Sequence, residues 1–598
     1  MLHLISKKLP AIILILLLTS VIITRRHIFF FLPTLGYFND WTVVELSLFD
    51  LVLILSAAVV FGIKQYQTRQ GRYNRDAWPS LFEKTNFGPT KKSPTIICRL
   101  ILLMLAVWIL TDGILISHYN SFEAKILSLF SAWQILKIYL ALWVFENLKT
   151  YQSNSNRGST KQVLANSSYD NITQLPLANH QFSKIIVRSL MFLSIFESVV
   201  VLGQFFYQSN LRLSFLGEEF FDSNTANVAK IKTAAGLKFI RAYGTFSHPN
   251  ILAFFLLLAL VAWLISWSRR HHNRSLPAAM TGLPEAAERK NFYDWLKLFW
   301  TIGFSLNLIA LILTFSRSAW LTALAGIILY FIFNFWLKIK NRNPGICLRN
   351  FIGIGRKNNP KEKTGESKKT GRLPMALLKS WQLLAATFYG RGPARLLTRQ
   401  TNRQNQLGRG GWLTFKRLWL YLKITLPSLW PLLSGLLLTA ITIFLVFDLA
   451  AARIPITNIK ETLNIDYRLF TLTSLAPTNY QTFLIGQSEH KAVLEYGKSL
   501  ISKTKNKSLE DWQIQPPANL YWLILTQWGL IGLILFSLFV WSLGYSLLIN
   551  NTINKRKFYL LLSFILSIFF IVANLDHFLL SLPEGFNLFI IFLLLTYY

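Results

Sequence analysis

Long apolar runs alternate with shorter polar or basic segments along nearly the whole chain. A helix that spans a bilayer needs about 20 mostly apolar residues. The runs predict twelve spanning helices, at about residues 9–24, 44–63, 96–117, 125–146, 185–207, 249–267, 297–315, 319–337, 422–449, 519–547, 557–574 and 585–598. The fold class predicted is an all-α integral membrane protein with about 12 transmembrane helices, one large extracytoplasmic loop and a long basic cytoplasmic loop.

The composition leads to the same class of protein. With 53% hydrophobic and 15% charged residues, a chain of 598 residues has too little polar surface to be soluble. The net charge of +35 would suggest nucleic acid in a soluble protein. Here Lys and Arg are concentrated in a few loops between apolar runs, where membrane topology explains them. The lipid bilayer is therefore an expected partner, and no nucleic acid is expected.

The basic loops predict the orientation of the chain, because Lys and Arg accumulate in cytoplasmic loops. Residues 64–95 and 268–296 are basic, and the segment from Lys338 to Lys423 has 20 Lys or Arg against two acids. These loops are assigned to the cytoplasm. We therefore expect a multi-pass protein of the plasma (inner) membrane with both termini cytoplasmic.

The apolar runs and loops together divide the chain into six parts. They are residues 1–207 with helices 1–5, 208–337 with helices 6–8, the basic and disordered cytoplasmic loop 338–421, helix 9 at 422–449, the extracytoplasmic loop 450–518, and 519–598 with helices 10–12.

The basic loop 338–421 has two interpretations. It either binds anionic lipid or is a solvated determinant of topology. The stretch "MALLKSWQLLAATFYG" within it is a candidate for an interfacial amphipathic helix.

Three arginines fall on or near the predicted extracytoplasmic face, where the distribution of basic residues would not have placed them: Arg241, Arg317 and Arg468. Each one alone is also compatible with a side chain that extends to the interface. Together they favour binding of a phosphate or diphosphate, because a guanidinium is planar, permanently charged and able to bind two oxygens at once.

Arg241 opens the stretch "RAYGTFSHPN", which leads directly into an apolar helix. Pro249 suits the first turn of that helix, where its missing N–H is not needed. Ser247 or His248 is expected to cap the helix, and Gly244 to allow a tight turn or a close backbone approach. His248 is interpreted either as a neutral cap or as a group that orients substrate or takes part in the chemistry.

Further candidates for acid–base chemistry occur in the predicted outer loops. They are Glu218 and Glu219, Asp466, Glu489 and His490, and Asp576 with His577. The chain has no phosphate-binding G-x-x-x-x-G-K-[ST] loop, no H-E-x-x-H and no Cys/His metal spacing. No metal and no other cofactor is therefore predicted.

Several motifs, in order and spacing, resemble a known family. These are "LGEEF", "GLKFIRAYGTFSHPNILA", "LTFSRSAWL", "YRLFTLTSLAPTNYQTFLIG" and "QPPANLYWLILTQWGLIGLILF". From about residue 180 to the end, the chain resembles the O-antigen ligase and O-antigen polymerase-like membrane proteins. The stretch "NDWTVVELSLFDLVLIL" near the start agrees more weakly.

The resemblance implies a metal-independent glycosyltransferase that acts outside the plasma membrane in the biosynthesis of cell-envelope polysaccharide. Its donor would be a glycan on a polyprenyl diphosphate such as undecaprenyl diphosphate, and its acceptor a hydroxyl of a glycan, glycolipid or protein. Arg241 and Arg468 match the family's arginines, with Arg317 as a further candidate. They would bind the diphosphate and stabilise the charge that grows on it as it leaves.

The sequence departs from the family at one position. The family has a His-Asn pair before the helix that begins here at "ANLYWLIL", and that His is its proposed general base; this chain has Ala518 and Asn519. An acid slightly further on is replaced by Gln527. Either another group such as His490, Glu489, Asp466 or His577 supplies the base, or the acceptor is intrinsically reactive, or the chain binds the lipid-linked glycan without transferring it.

The residues predicted for the site follow from these observations. Arg241, Arg468 and His490 are assigned to catalysis, and Arg317, His248, Asn519 and Glu218 to substrate binding.

Two other functions compete with glycan transfer. A transporter or flippase of lipid-linked glycans would also suit the helices and arginines, but should carry charged groups deep within several helices. The ionisable groups of this chain are expected to gather at one face, which favours an enzyme. The other competitor is a catalytically defective, glycolipid-binding homologue, suggested by Ala518.

Overall fold

A computed structural model gives the structure of most of the predicted helices. It describes residues 2–23, 26–31, 43–77, 94–111, 122–163, 175–222, 225, 228–232, 236–273, 286–342, 437, 440–442, 444–447, 449, 477, 479–487, 519–549, 555–576 and 578–597.

The described chain is a bundle of helices with two small strand pairs. The helices are α1 (Leu2–Ile22), α2 (Leu48–Ala77), α3 (Pro94–Thr111), α4 (Phe122–Val163), α5 (Leu175–Tyr207), α6 (Pro249–Asn273), α7 (Ala286–Leu313), α8 (Arg317–Arg342), α9 (Tyr480–Ile485), α10 (Leu520–Ile549), α11 (Lys555–Ser567), α12 (Ala573–Leu575), α13 (Phe578–Ser581) and α14 (Pro583–Tyr597). The strands are β1 (Arg26–Phe31), β2 (Val43–Ser47), β3 (Lys230–Lys232) and β4 (Lys238–Ile240).

Six described helical segments are long and apolar enough to cross a membrane. They are Leu48–Tyr66, Lys125–Leu148, Ser183–Tyr207, Pro249–Trp267, Leu520–Tyr545 and Phe558–Leu575. Shorter apolar segments are Leu9–Ile22, Ile97–Thr111, Lys297–Leu313, Arg317–Phe333 and Pro583–Thr596. All of these fall on predicted runs, so the prediction of a mostly α-helical membrane protein is confirmed. The count of twelve spans, the side of each loop and the identity of the membrane stay predictions.

The strand pairs were not part of the predicted all-α fold. β1 pairs with β2 and β3 with β4, both antiparallel. β2 leads directly into α2, which begins at Leu48 and not at residue 44 as predicted. A capping box explains the boundary: Ser47 N donates to Asp50 Oδ2 at 2.8 Å, and Asp50 N donates to Ser47 Oγ at 3.3 Å.

Helix α6 forms the centre of the bundle. It contacts α5, α7, α8, α11 and α14, and every side chain from Ile251 to Trp263 is buried. A helix that is apolar all round is expected in such a position, because no face of it needs to meet a polar phase. The start of α6 at Pro249 therefore brings the segment before it to the middle of one end of the bundle.

Helix α10 is broken within its apolar run. Gly529 has φ 68° and ψ −173°, outside helical geometry, and this frees carbonyls of the preceding turn. Gln487 N donates to Thr526 O at 2.8 Å, and Trp108 Nε1 donates to Trp528 O at 3.0 Å. The segment with α9 therefore contacts α10 six to nine residues, or about 9–14 Å, after its first residue, Leu520. Non-helical backbone at such depth is tolerated where protein covers it.

Two predicted segments lie almost entirely outside the described residues. The description of the basic loop 338–421 ends at Arg342, so the disorder and the amphipathic helix predicted there stay predictions. In the loop 450–518, residues 477 and 479–487 are described.

Candidate functional site

Residues 241–248 form a mostly buried loop at one end of the bundle. We call this the loop end; it is the end at which α6, α8, α10 and α14 begin and α5 and α7 finish. Ala242, Thr245 and Phe246 are buried, and Thr245 Oγ1 donates to the carbonyl of Ile22 at 2.8 Å, at the end of α1. The loop is therefore inserted between the helices and does not lie on their outer ends.

Gln204, near the end of α5, holds the loop. Its Oε1 accepts from the backbone N–H groups of Tyr243 at 2.9 Å and Gly244 at 2.8 Å. Its Nε2 donates to Gly244 O and to Glu218 Oε1, both at 2.7 Å. These four bonds use both hydrogens and both lone pairs of the amide, so its orientation is determined.

Gly244 lies against a buried carboxylate of α5. Its φ is +63°, and a Cβ at this position would collide with Glu197 Oε2. The next residue, Thr245, donates to Glu197 through its hydroxyl at 2.7 Å and through its N–H at 3.1 Å. The predicted tight turn and close approach at Gly244 are confirmed.

Tyr243 links the loop to the strand pair β3–β4. Its hydroxyl accepts from Ala229 N at 2.7 Å, and its ring lies 5.0 Å from that of Phe221. Burial raises the pKa of the Tyr243 phenol, against smaller opposing effects of the Ala229 N–H and the Arg241 charge. The hydroxyl therefore stays neutral and keeps its place in this contact.

Arg241 is buried, and its guanidinium has a defined orientation. Nε donates to Thr314 O at 2.8 Å, beside the end of α7, and Nη2 donates to Asn250 Oδ1 at 2.8 Å, in the first turn of α6. The carbonyls at the end of a helix carry partial negative charge, which favours a cation there. The arginine is thus held between the end of one helix and the start of another.

The turn between α7 and α8 brings Arg317 to the same end. Phe315 has φ +50°, which is unusual for a bulky side chain, and it is fully buried. Trp320 Nε1 donates to Leu311 O at 3.0 Å across the turn. Arg317 is the first residue of α8 and is partly exposed, three positions after the carbonyl that accepts from Arg241.

His248 caps α6, as predicted for Ser247 or His248. Its Nδ1 accepts from Asn250 N at 3.1 Å, and its carbonyl accepts from Ile251 N at 3.0 Å. In a neutral ring the proton is then on Nε2, since Nδ1 accepts. Pro249 is the first residue of α6, which confirms its predicted place. Ser247 instead donates to Glu584 Oε2 of α14, through Oγ at 2.8 Å and N at 3.2 Å.

A carboxylate and three amides also meet at the loop end, in contacts between distant parts of the chain. Asn250 Nδ2 lies 3.2 and 3.3 Å from the oxygens of Asp576, and Ser318 Oγ donates to Asp576 Oδ2 at 2.8 Å. Asn519 caps α10 by accepting from Trp522 N at 3.0 Å, and its Nδ2 donates to Asn574 Oδ1 at 3.0 Å. The starts of α6, α8 and α10 are therefore joined around the segment that follows α11.

Glu218 is buried within the loop that follows α5. Its Oε2 accepts from Leu213 N at 2.6 Å, and its Oε1 accepts from Leu211 N at 2.8 Å as well as from Gln204. These bonds close the loop on itself. Substrate binding by Glu218 stays a prediction, and its contacts shape the loop that carries Arg241.

Several predicted site residues lie outside the described residues, and their roles stay predictions: Arg468, His490, Asp466, Glu489, Ala518 and His577. Within the part of the chain that the structure describes, no three or more His, Cys, Asp or Glu side chains come together as metal ligands would.

Three ionisable residues inside apolar spans were missed. Lys137 Nζ lies 2.8 Å from Asp50 Oδ1 with both side chains buried, and Glu197 bonds to Thr245. That the ionisable groups gather at one face stays a prediction: Glu197 bonds to Thr245 of the loop end, and Asp50 lies in the first turn of α2. The signal was a single charged residue in an apolar run, as in "LSIFESVV" and "QILKIYL". The uncharged Gln204 and Asn250 gave no comparable signal.

Comparison of the chain with protein-family models, with curated proteins and with solved structures finds no match. The resemblance to O-antigen ligases and polymerases therefore stays a prediction from the motifs.

Proposed function

We propose that the protein is a membrane glycosyltransferase of the O-antigen ligase or polymerase type. It transfers a glycan from a polyprenyl diphosphate to an acceptor hydroxyl on the extracytoplasmic face of the plasma membrane, without a metal. The acceptor is another glycan, a glycolipid or a protein. The loop end of the bundle is then the extracytoplasmic end.

The observation that carries the proposal is the position of Arg241. A buried guanidinium at the end of an apolar bundle is costly unless its surroundings compensate for the charge. The carbonyl of Thr314 and the amide oxygen of Asn250 do so, and both are fixed by helix ends. Such an oriented cation suits a diphosphate whose lipid tail lies along the apolar helices, because charge grows on the diphosphate as the glycan leaves.

Two more arginines complete the proposed diphosphate site. Arg317 begins α8 near the carbonyl that Arg241 contacts. Arg468 precedes α9, whose segment docks on the broken part of α10. Several guanidinium groups around one diphosphate would neutralise its charge without a metal ion.

A transporter of lipid-linked glycans is the second candidate, and the ionisable residues within the spans favour it. The ionisable residues within the described spans include Lys137, Asp50 and Glu197. In the described structure, however, Lys137 is bonded to Asp50 and Glu197 to Thr245, so these groups tie neighbouring segments together. A binding homologue without transferase activity is the third candidate, because Ala518 replaces the expected base.

Purified protein in liposomes tests the proposal. The donor is the undecaprenyl-diphosphate-linked oligosaccharide pool isolated from the source cells, and the acceptors are glycans, glycolipids and proteins from the same cells. We expect glycan transfer without added metal or ATP. Arg241→Ala and Arg468→Ala should lower the rate by at least about 10²-fold, as loss of a donor that stabilises developing charge does.

Two further variants test whether a lower rate of Arg241→Ala results from misfolding. Arg241→Lys keeps the charge and removes the planar fork, so it should fold and still lose rate. Arg212→Gln is the matched control, since Arg212 is exposed in the loop at the same end of the bundle, and it should transfer at the wild-type rate. Donor binding without transfer to any acceptor would favour the binding homologue, and movement of donor across the liposome membrane would favour the transporter.

A further inference from the structure

Glu197 is a buried ionisable residue that the proposed mechanism does not use. It lies on a buried face of α5, within an apolar span. Its Oε2 accepts from Thr245 N at 3.1 Å, and its Oε1 lies 2.7 Å from Thr245 Oγ1. Both contacts of the carboxyl group are therefore to one residue of the loop that follows Arg241.

The Thr245 hydroxyl has a second oxygen neighbour. The carbonyl oxygen of Ile22 lies 2.8 Å from Oγ1. Ile22 is the last residue of α1 and is buried, and the last four carbonyls of a helix have no partner within the helix. Because a carbonyl can only accept, the hydrogen in this contact must come from the hydroxyl. The Thr245 hydroxyl therefore satisfies the buried end of α1.

The contact between Thr245 and Glu197 needs a second hydrogen. An ionised carboxylate can only accept, so the hydroxyl would have to donate to Glu197 and to Ile22 at once, and it has one hydrogen. A protonated Glu197 removes the conflict, since its Oε1–H donates to Thr245 Oγ1, which donates to Ile22 O. The N–H of Thr245 still donates to Oε2. With the neutral acid, each of these three contacts contains a hydrogen.

The surroundings of Glu197 also favour the neutral acid. The carbonyl end of α1 carries partial negative charge. Of the helices that pack on α5, α1, α6 and α7 have no ionisable side chain at residues 9–22, 251–263 and 298–313. The ionisable side chains of the other elements toward this end are Arg241, Tyr243 and His248 in the loop, Glu218 after α5, Lys125 and Lys137 in α4, and Glu584 in α14. Among the described residues, none of the cations forms an ion pair with Glu197.

We infer that Glu197 is a proton-binding site, and that its bound proton holds the loop of Arg241 against α1 and α5. When the proton leaves to water, a charge remains in the apolar bundle and the chain of bonds from Glu197 through Thr245 to Ile22 is broken. The loop then loses its place between the helices. Because Arg241 belongs to this loop, the diphosphate site loses its arginine at high pH. That last consequence rests on the proposed function.

The variant Glu197→Gln tests the inference, because its amide has the shape and the hydrogens of the neutral acid. Nε2 can donate to Thr245 Oγ1, and Oε1 can accept from Thr245 N. The variant should fold, and its thermal unfolding midpoint in detergent should depend on pH less than that of wild type. A glutamate of the unfolded chain is ionised between about pH 5 and about pH 9, so folding of wild type must take up a proton there. The wild-type folding equilibrium constant should therefore fall by up to about tenfold for each pH unit.

Glu218→Gln is the matched control, since Glu218 is a second buried glutamate of the same region. It accepts from Leu211 N, Leu213 N and Gln204 Nε2. Three donors suit an ionised carboxylate, and an amide would turn N–H hydrogens toward one of them. We expect Glu218→Gln to lower the unfolding midpoint at every pH, in contrast to Glu197→Gln.

Infrared spectroscopy detects the proton itself. At about pH 6, where an exposed glutamate is ionised, the spectrum of wild type minus that of Glu197→Gln should contain the C=O band of a protonated carboxylic acid. A carboxylate band in its place would overturn the inference. So would a Glu197→Gln protein that is as unstable as Glu218→Gln or does not fold, or midpoints of wild type and Glu197→Gln that fall in parallel as pH rises.

Glycan transfer in the liposome assay is a separate readout. Wild type should lose rate at high pH, and Glu197→Gln should keep more of its rate there. Equal losses in the two proteins would overturn the link between the proton and the arginine. A wild-type protein that transfers nothing at any pH overturns the proposed function alone, because the infrared band and the unfolding midpoints do not depend on transfer.

Discussion

At the scale of single residues, Gly244 shows how the loop around Arg241 depends on the absence of a side chain. Its φ of +63° is unfavourable for other residues, and the Glu197 carboxylate occupies the place where a Cβ would lie. Gln204 holds the backbone on both sides of this turn. The path of the loop is therefore determined by side chains of α5.

Gly244→Ala should destabilise the protein by about 1–3 kcal/mol, because it adds backbone strain and pushes against a buried carboxylate. The readout is the apparent thermal unfolding midpoint in detergent. The matched control is Gly62→Ala in α2, where a Cβ meets no atom within 4 Å, and which should be neutral or stabilising by up to about 1 kcal/mol. Equal midpoints for the two variants would contradict this account of the turn.

At the scale of elements, α9 and the break in α10 form one unit. Gly529 has φ 68° and ψ −173°, and Gly486 has φ 102° and ψ −177°. Both belong to a region of backbone conformation that is essentially restricted to glycine. A Cβ on either residue would collide with the backbone of the other segment. The two glycines therefore allow the loop segment to reach the carbonyls that the break exposes.

Gly529→Ala should separate α9 from α10, because the colliding atoms are backbone of Leu484 and Ile485 and cannot turn aside. We expect a lower unfolding midpoint and faster proteolysis within residues 450–518. Gly544→Ala in the same helix is the control, since a Cβ there meets no atom within 4 Å. Unchanged proteolysis in Gly529→Ala would show that the loop segment is held by other contacts.

At the scale of the whole molecule, a buried polar network joins three helices that are distant in the sequence. Lys137 of α4 bonds to Asp50 of α2 at 2.8 Å and to Asn587 of α14 at 3.3 Å. Asp50 also completes the cap of α2 with Ser47, whose hydroxyl lies 3.4 Å from Asn587 Nδ2. Breaking a buried ion pair leaves an uncompensated charge, so this network aligns α2, α4 and α14 strongly.

Lys137→Met alone should cost about 3–5 kcal/mol of stability, because it leaves Asp50 charged and buried. Combining it with Asp50→Asn should recover much of the loss, since Asn keeps the cap of α2 and carries no charge. The double-mutant cycle is followed by thermal unfolding in detergent. The matched pair is Arg99–Glu146, 2.6 Å apart and more exposed, whose coupling should be about 1 kcal/mol or less. Additive effects of Lys137→Met and Asp50→Asn would refute the coupling.

Much of the fold could be predicted from the pattern of apolar runs. The segment Pro249–Trp267 has the predicted bounds, because Pro and polar residues flank an uninterrupted apolar run. The break at Gly529 could not be predicted, since the run continues through it and hydropathy carries no information on φ and ψ. The pairs β1–β2 and β3–β4 were likewise too short to stand out.

For the candidate site, the sequence marked Arg241, Gly244 and the cap at His248, because each is a distinctive residue type at a helix start. It did not indicate the partners of Arg241. Thr314 lies 73 positions away, and Asp576 lies 326 positions from Asn250 and 258 from Ser318. Contacts over such distances depend on how the helices pack, and local patterns do not contain that information.

The sequence by itself determined that the chain is a helical membrane protein and where most of its helices run, because the bilayer requires about 20 apolar residues for each span. Only the tertiary structure decided which polar groups meet. A buried donor, acceptor or charge must find a partner, and the packing of the helices supplies it from any part of the chain. For this reason Lys137 lies beside Asp50, Glu197 beside Thr245, and Arg241 is linked to Asp576 through Asn250.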